Sequence, residues 1–372
     1  MKLFKSLLVA PATLGLLAPV AATANEVTIS DFAPAEHLAI TNSRVDGLEA
    51  RLYNFEAGSF SETTTASFSA DFAIGSVNGK GVTTTVTDGD ETLQSVYGFQ
   101  IDLNTSFTGE DSLDISLDAG NANGALSEFD TNATVDALKV DGVSYTFPLG
   151  SATAFVGDNT DGSMLFTTAC VYGGPSNTLD DCANVTAGIT GGGVALGASY
   201  DFDNGFTTAV GAQFVETGIA TVGNADSWAA NLAYTTDSYG ASITYAMVEV
   251  GTGNDTFTAL NGYYSFDNGL NISAGYEIGD LDGAAAAADE TEAYFVGVNG
   301  EVGPGELGAA VGTYGVMTEA AGVVPERMMY EAYYSYAVND GMTITPLIYS
   351  VEGEDAADED ETGIMVKTSF SF

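Results

Sequence analysis

Chemistry in this chain would have to come from carboxylate oxygen. There are 51 aspartates and glutamates against 8 lysines and arginines, with one histidine and two cysteines. His37 stands ahead of all the strand-forming sequence, so it cannot serve a serine nucleophile within it. One histidine and two cysteines remote from it make no metal-ligand set, and no phosphate-cradling glycine loop is present. No enzymatic activity is therefore expected. The charge balance also excludes nucleic acid as a partner, because binding phosphate needs lysine and arginine.

Two local features remain. The run EGEDAADEDE (352–361) offers hard oxygen ligands but lacks the spaced glycine of a calcium loop. It supports a solvated acidic face or, at most, loose bridging of Ca2+ or Mg2+; no cofactor is expected. Cys170 and Cys182 lie close together in a polar stretch, and in an exported chain they read as a disulfide closing a short loop, worth about 3 kcal/mol by loop-closure entropy.

Export is indicated by residues 1–24. MKLFKSLLVAPATLGLLAPVAATA has Lys2 and Lys5, an apolar stretch and an Ala-Thr-Ala cleavage site, the pattern of a signal peptide. Its removal leaves six basic residues against 51 acidic ones, a net charge of −45. No later run approaches the roughly 18 apolar residues of a membrane helix. Yet 45% of residues are hydrophobic and only 16% charged. That pairing suits strands with one apolar face joined by charged loops.

The strands can be read directly. In TTASFSADFAIGSV, Ala66, Phe68, Ala70, Phe72 and Ile74 share one face, and TLQSVYGFQIDLN and SLDISLDAG alternate in the same way. SYDFDNGFTTAVGAQF (199–214) and YYSFDNGLNISAGYEI (263–278) are hairpins around Asp-Asn-Gly, whose Asn and Gly accept positive φ. Residues 233–248, 298–314 and 333–349 are looser copies, and VSYTFPLGSATAFVGD turns at Pro148 to Gly150. Tight turns alternate with long acidic or glycine-rich loops, and aromatics such as Phe202, Phe206, Tyr234, Tyr239, Phe266 and Tyr336 flank the turns. These features predict an all-β transmembrane antiparallel barrel of about 16 strands over 59–372, preceded by a short periplasmic segment, 25–58. The final strand, GIMVKTSFSF, ends its apolar face on Phe370 and Phe372, so it must pair with the first strand to leave no open edge in hydrocarbon.

Residues 43–60, SRVDGLEARLYNFEAGSF, with TTTASFSADFAIGSV, DLNTSFTGEDSLDISLDAGN and YTFPLGSATAFVGD, resemble the porins of cyanobacterial outer membranes, related to the OprB-type carbohydrate-selective porins. The resemblance implies passage of small hydrophilic solutes across an outer membrane, a homotrimer, and a terminal strand (Phe370, Phe372) read by the barrel-assembly machinery. Those porins usually carry a surface-layer-homology domain ahead of the barrel. The stretch NEVTISDFAPAEHLAITNS is too short for one, so wall anchoring is not carried over. Val45, Leu48, Leu52 and Phe55 have heptad spacing, predicting a helix over 43–57 that either pairs in a coiled coil or packs at the barrel base.

If the apolar faces meet lipid, the opposite faces line a pore. Asp102, Asp114, Asp118, Asp201, Glu277 and Glu331 fall there, with Lys367 opposed in sign and Gln213 and Asn231 neutral. The long third loop, 158–192, holds the cysteines with Asp158, Asp161, Asp180 and Asp181; folded inward it would narrow the pore, and otherwise it is a stapled surface loop. The expected function is passive diffusion with a preference for cations. The alternative is a structural or adhesive surface barrel with a plugged lumen and acidic loops that bind divalent cations or partners.

Overall fold

The computed structural model describes residues 64–78, 92–122, 126–129, 131–221, 223–251, 253–282, 289–318, 326–353 and 359–372. The signal sequence, the segment 25–58 with Val45, Leu48, Leu52 and Phe55, and part of the acidic run at 354–358 lie outside them.

Every long strand pairs antiparallel with its neighbours in sequence. In order they are β1 (Thr64–Asn78), β2 (Gln94–Thr105), β3 (Ser112–Gly120), β4 (Lys139–Leu149), β5 (Ala152–Asp158), β6 (Val194–Asp201), β7 (Phe206–Phe214) and β8 (Ser227–Thr235). The second half holds β9 (Tyr239–Val250), β10 (Gly253–Ser265), β11 (Leu270–Asp280), β12 (Glu290–Val302), β13 (Gly305–Thr313), β15 (Met328–Asn339), β16 (Met342–Val351) and β17 (Glu361–Ser371). A two-residue β14 (Met317–Thr318) merely extends the pairing along β12. The result is a closed barrel of sixteen strands.

Closure is made by the residues that the terminal pattern singled out. β17 pairs with β1 from Ser69 opposite Ser371 to Asn78 opposite Thr362. Beyond that ladder Phe68 and Phe372 exchange backbone hydrogen bonds of 2.9 and 3.0 Å. Their rings stack at 5.7 Å, and Phe72 meets Phe370 edge-on at 6.2 Å. No edge is left to the surrounding medium at this seam, as a barrel in lipid requires.

The turn glycines take the positive φ expected of them, 90° for Gly205 between β6 and β7 and 82° for Gly269 between β10 and β11, but the asparagines do not: Asp203 takes 59° in place of Asn204. The Asn204 and Asn268 side chains instead accept from the backbone N–H groups of Phe206 and Leu270, at 3.1 and 3.2 Å, which fixes each turn locally. Strict alternation sets the two faces. In β8, Ser227, Ala229, Asn231 and Ala233 are buried on the inside while Trp228, Ala230 and Leu232 are exposed outside. Outward aromatics cluster at the short-turn ends, where Phe206 lies 4.6 Å from Tyr234 and Tyr264 lies 4.7 Å from Phe266. A second group, with Trp228 6.2 Å from Tyr245, sits toward the long-loop ends. Two aromatic rows with aliphatic residues between them make the belt expected of a membrane barrel.

The inside is not hollow. Residues 121–138 (loop L2, between β3 and β4) and 159–193 (loop L3, between β5 and β6) send side chains into an apolar core within the barrel. Leu126 and Phe129 of L2 and Tyr172, Leu179 and Cys182 of L3 pack there on Val96, Phe295, Met329, Tyr349 and Met365 of the wall. L3 begins one residue later than the expected 158–192, because Asp158 still pairs with Val143 as the last residue of β5.

Candidate functional site

The inner surface is built from L3 outward. Its first leg lies extended across the wall, and alternate backbone N–H groups find side-chain acceptors on the strands below. Thr167 N donates to Asn231 Oδ1 at 3.1 Å, Ala169 N to Ser242 Oγ at 2.9 Å and Val171 N to Ser273 Oγ at 3.1 Å. Asn231 also returns a bond to the Thr167 carbonyl at 3.2 Å, so an amide side chain stands in for a strand partner. Such pairing is needed because buried backbone polar groups must be satisfied. Tyr172 then packs against Phe295 and Tyr333 and donates its phenol to Glu331 Oε1 at 2.5 Å.

At its tip L3 meets L2, where Asn177 N donates to the Glu128 carbonyl at 3.0 Å and Thr178 to Glu128 Oε1 at 3.2 Å. The return leg is joined to the first by the Cys170–Cys182 disulfide, with a Cα separation of 6.5 Å, and by Asn184 donating to Thr168. The disulfide expected from the sequence is therefore present. Thr186 N and Ala187 N both donate to the Glu277 carboxylate, at 2.8 to 3.1 Å. The neck closes with Gly191 N on Asp161 Oδ1 at 2.8 Å and Gln213 Nε2 on the Thr160 carbonyl at 3.3 Å.

Two glycines of the wall permit this approach. A Cβ on Gly211 would overlap the Gly162 carbonyl, and one on Gly275 would overlap the carbonyl of Cys182, to which Asn261 also donates at 2.7 Å.

The expected lining residues fall on the inner face by register, but not in one environment. Asp102 and Asp114 stay accessible on β2 and β3. Asp102 Oδ1 accepts from Gln100 and Ser116, and Asp114 from Asn104 and Ser112. Asp118 is buried opposite Gln100 and Lys139. Asp201 is exposed at the short-turn end, where Oδ1 accepts from Asp203 N. Glu277 and Glu331, at 1% and 5% exposure, lie beneath L3, so any passage beside the loop runs over them without touching them. Lys367 faces inward too, and its ammonium donates to the Phe129 carbonyl at 3.3 Å and lies 5.4 Å over the Phe129 ring.

Of the four loop carboxylates, Asp158 accepts from Asn159 N on the strand end, Asp161 holds the neck, and Asp180 and Asp181 lie together at the tip. An open cavity of about 340 Å³ is lined by Asp114 and Ser116 of β3, Ser144 of β4, and Asn159, Asp161 and Gly191 at the two ends of L3. Among the described residues no group of three His, Cys, Asp or Glu side chains could hold a metal ion.

With so few cations, neutral phenols serve as partners for the acids. Tyr145 donates to Asp111 at 2.6 Å, Tyr333 to Glu306 at 2.6 Å and Tyr349 to Glu361 at 2.9 Å. The Tyr145 bond, with the backbone and hydroxyl bonds from Ser106, Phe107 and Thr108, holds the Asp111 carboxyl well below the usual range in the turn between β2 and β3. Missing from the sequence reading were Ser242, Asn261, Ser273, Glu128 and Tyr172. The first three had only inward parity as a signal, and Glu128 only its place in the apolar stretch ALSEF.

OprB of Pseudomonas putida, in its high-pH structure, matches with a TM-score of 0.63, covering 83% of this chain and 94% of that one at 11% identity. The anion-selective porin of Comamonas acidovorans matches with a TM-score of 0.60, covering 83% and 99% at 15% identity. The fold is that of a porin barrel. A mutant porin of Rh. blastica matches at 0.54 and 10% identity over the same share of this chain and all of its own. No protein-family model matches. An uncharacterized protein of Nostoc sp. (strain PCC 7120), alr4550, is 31% identical over 160 residues, 36% of this chain. The chain spans about a quarter of the length of that curated relative, 27%.

Proposed function

We propose that this porin barrel is a passive channel in a bacterial, cyanobacterial outer membrane, admitting small hydrophilic solutes and ions and preferring cations. The observation that carries the reading is the polar inner face of β1 to β3, left accessible beside docked L3 and lined by Asp71, Gln100, Asp102, Asn104 and Asp114. Carboxylates beside a narrowed passage concentrate cations and repel anions. An anion-selective porin shares this fold, so the sign of selectivity must come from the charges and not from the barrel.

On this reading the chain is exported through the periplasm, surrounded by outer-membrane lipid, delivered by assembly machinery that reads Phe370 and Phe372, and trimeric. It performs no covalent chemistry. Ca2+ or Mg2+ at the acidic loops is at most a bridging ion. Wall anchoring by a surface-layer-homology domain forms no part of the reading.

Liposome swelling tests the passage itself. Proteoliposomes in isotonic solutions of neutral sugars should swell fast with a pentose, and slower by about tenfold or more with a disaccharide, because L3 leaves only part of the lumen free. Protein that is inserted and heat-modifiable but gives no swelling with any solute would favour a plugged surface barrel.

A further inference from the structure

Docking of L2 and L3 sets acid against acid. Glu128 of L2 is 5% exposed and faces Glu331 of β15 and Glu361 of β17, with the Tyr314 and Tyr349 phenols beside it and Thr178 donating to its Oε1 at 3.2 Å. The neighbouring cations are engaged with other groups. Lys367 is on the Phe129 carbonyl and ring, and Arg327 lies 4.8 Å over Tyr314 while donating to the Glu352 carbonyl at 2.8 Å. At the tip of L3, Asp181 faces Asp180 and Glu277. Glu128 Oε2, Glu331 Oε2 and Asp181 Oδ1 are buried without a hydrogen-bond partner. An ionised oxygen in such a place has lost its water and gained no donor, whereas a protonated carboxyl loses far less.

We propose that docking of L2 and L3 onto the barrel wall takes up protons, so that the loops lie down at acid pH and lift as the medium turns alkaline. Burial, and then the facing carboxylates, push Glu128 and Asp181 each up to about 7, from ordinary values of 4.5 and 3.8. A group held above its free value favours the docked state fully below that free value and loses its contribution as pH rises through the docked one. The window therefore runs from about pH 4 to 7, and Glu128 alone would change the docking equilibrium on the order of a few hundredfold across it. The device needs the barrel and its loops, and does not need the channel to conduct.

Hydrogen exchange on the full chain in detergent micelles, from pH 5 to 9 and corrected for the intrinsic pH dependence of exchange, reads it directly. The reporters are the amides of Thr167, Ala169 and Val171, which donate to Asn231, Ser242 and Ser273 and so to no titrating group. Strand amides of β1 and β17 are the internal reference. The expected result is a fall in loop protection of at least about tenfold between pH 5 and 8 with the reference unchanged. The Glu128→Gln, Asp181→Asn double variant should keep at least about tenfold more protection at pH 8 than the wild-type chain, and Glu128→Gln alone part of that gain. Loop protection that is equal at pH 5 and 8 in the wild-type chain, or that falls as steeply in the variants, would overturn the proposal.

Discussion

Replacing Gly275 by valine will lift L3 from the wall and widen the passage. Gly275 faces inward on β11, and the new Cβ would overlap the backbone carbonyl of Cys182. The obstacle is backbone within a disulfide-closed loop, so it cannot rotate aside as a side-chain end would. The strand itself should accept valine, since β-branched residues suit a pleated surface. The barrel is expected to stay closed while docking loses about 1 to 3 kcal/mol, the usual cost of overpacking a well-filled site. Single-channel conductance should rise by about twofold or more as the loop withdraws from the lumen. Ala274→Val, one residue earlier and outward, is the control and should leave conductance unchanged. Equal conductance in Gly275→Val and the wild type would mean that L3 does not limit passage.

The second large effect concerns the outside. Leu232 is 47% exposed on β8, pairs across with Thr208 and Ile243, and lies between the two aromatic rows. An arginine there must place its charge in hydrocarbon, and Leu232→Arg is expected to destabilise the barrel by about 2 to 4 kcal/mol. Ser69→Arg, on the accessible inner face of β1, should cost under about 1 kcal/mol, as a surface change does. Urea titration of both variants refolded in lipid bilayers measures the difference. Equal tolerance at the two positions would reverse or abolish the assignment of inside and outside.

The parts of the molecule legible in the sequence are those where one face meets a uniform solvent. Lipid outside and water inside enforce period two, so the faces of β1 to β3 and the places of the hairpins at Asp203-Asn204-Gly205 and Asp267-Asn268-Gly269 could be read directly, although which turn residue beside Gly205 takes positive φ could not. Parity could also place Asp102, Asp114, Glu277 and Glu331 on one side of the wall. It could not separate the first two from the last two, because the loop that covers Glu277 and Glu331 comes from 90 to 160 residues earlier in the chain and carries no period of its own. The same limit hid L2. Leu126 and Phe129 are an apolar pair in a loop, and only the fold supplies the Met365 and Tyr349 side of their core. Even the disulfide, legible as a pair, gave no hint that the Cys182 carbonyl would rest over a glycine of β11.

An acid-lined passage beside a docked loop should show itself in the reversal potential of single channels in a planar bilayer under a potassium chloride gradient. Discrete conductance steps with reversal on the cation side are expected. That preference should weaken as salt shortens the Debye length and move toward neutrality in the Asp102→Asn, Asp114→Asn variant. Reversal on the anion side, or a cation preference untouched by neutralising those two carboxylates, would contradict it.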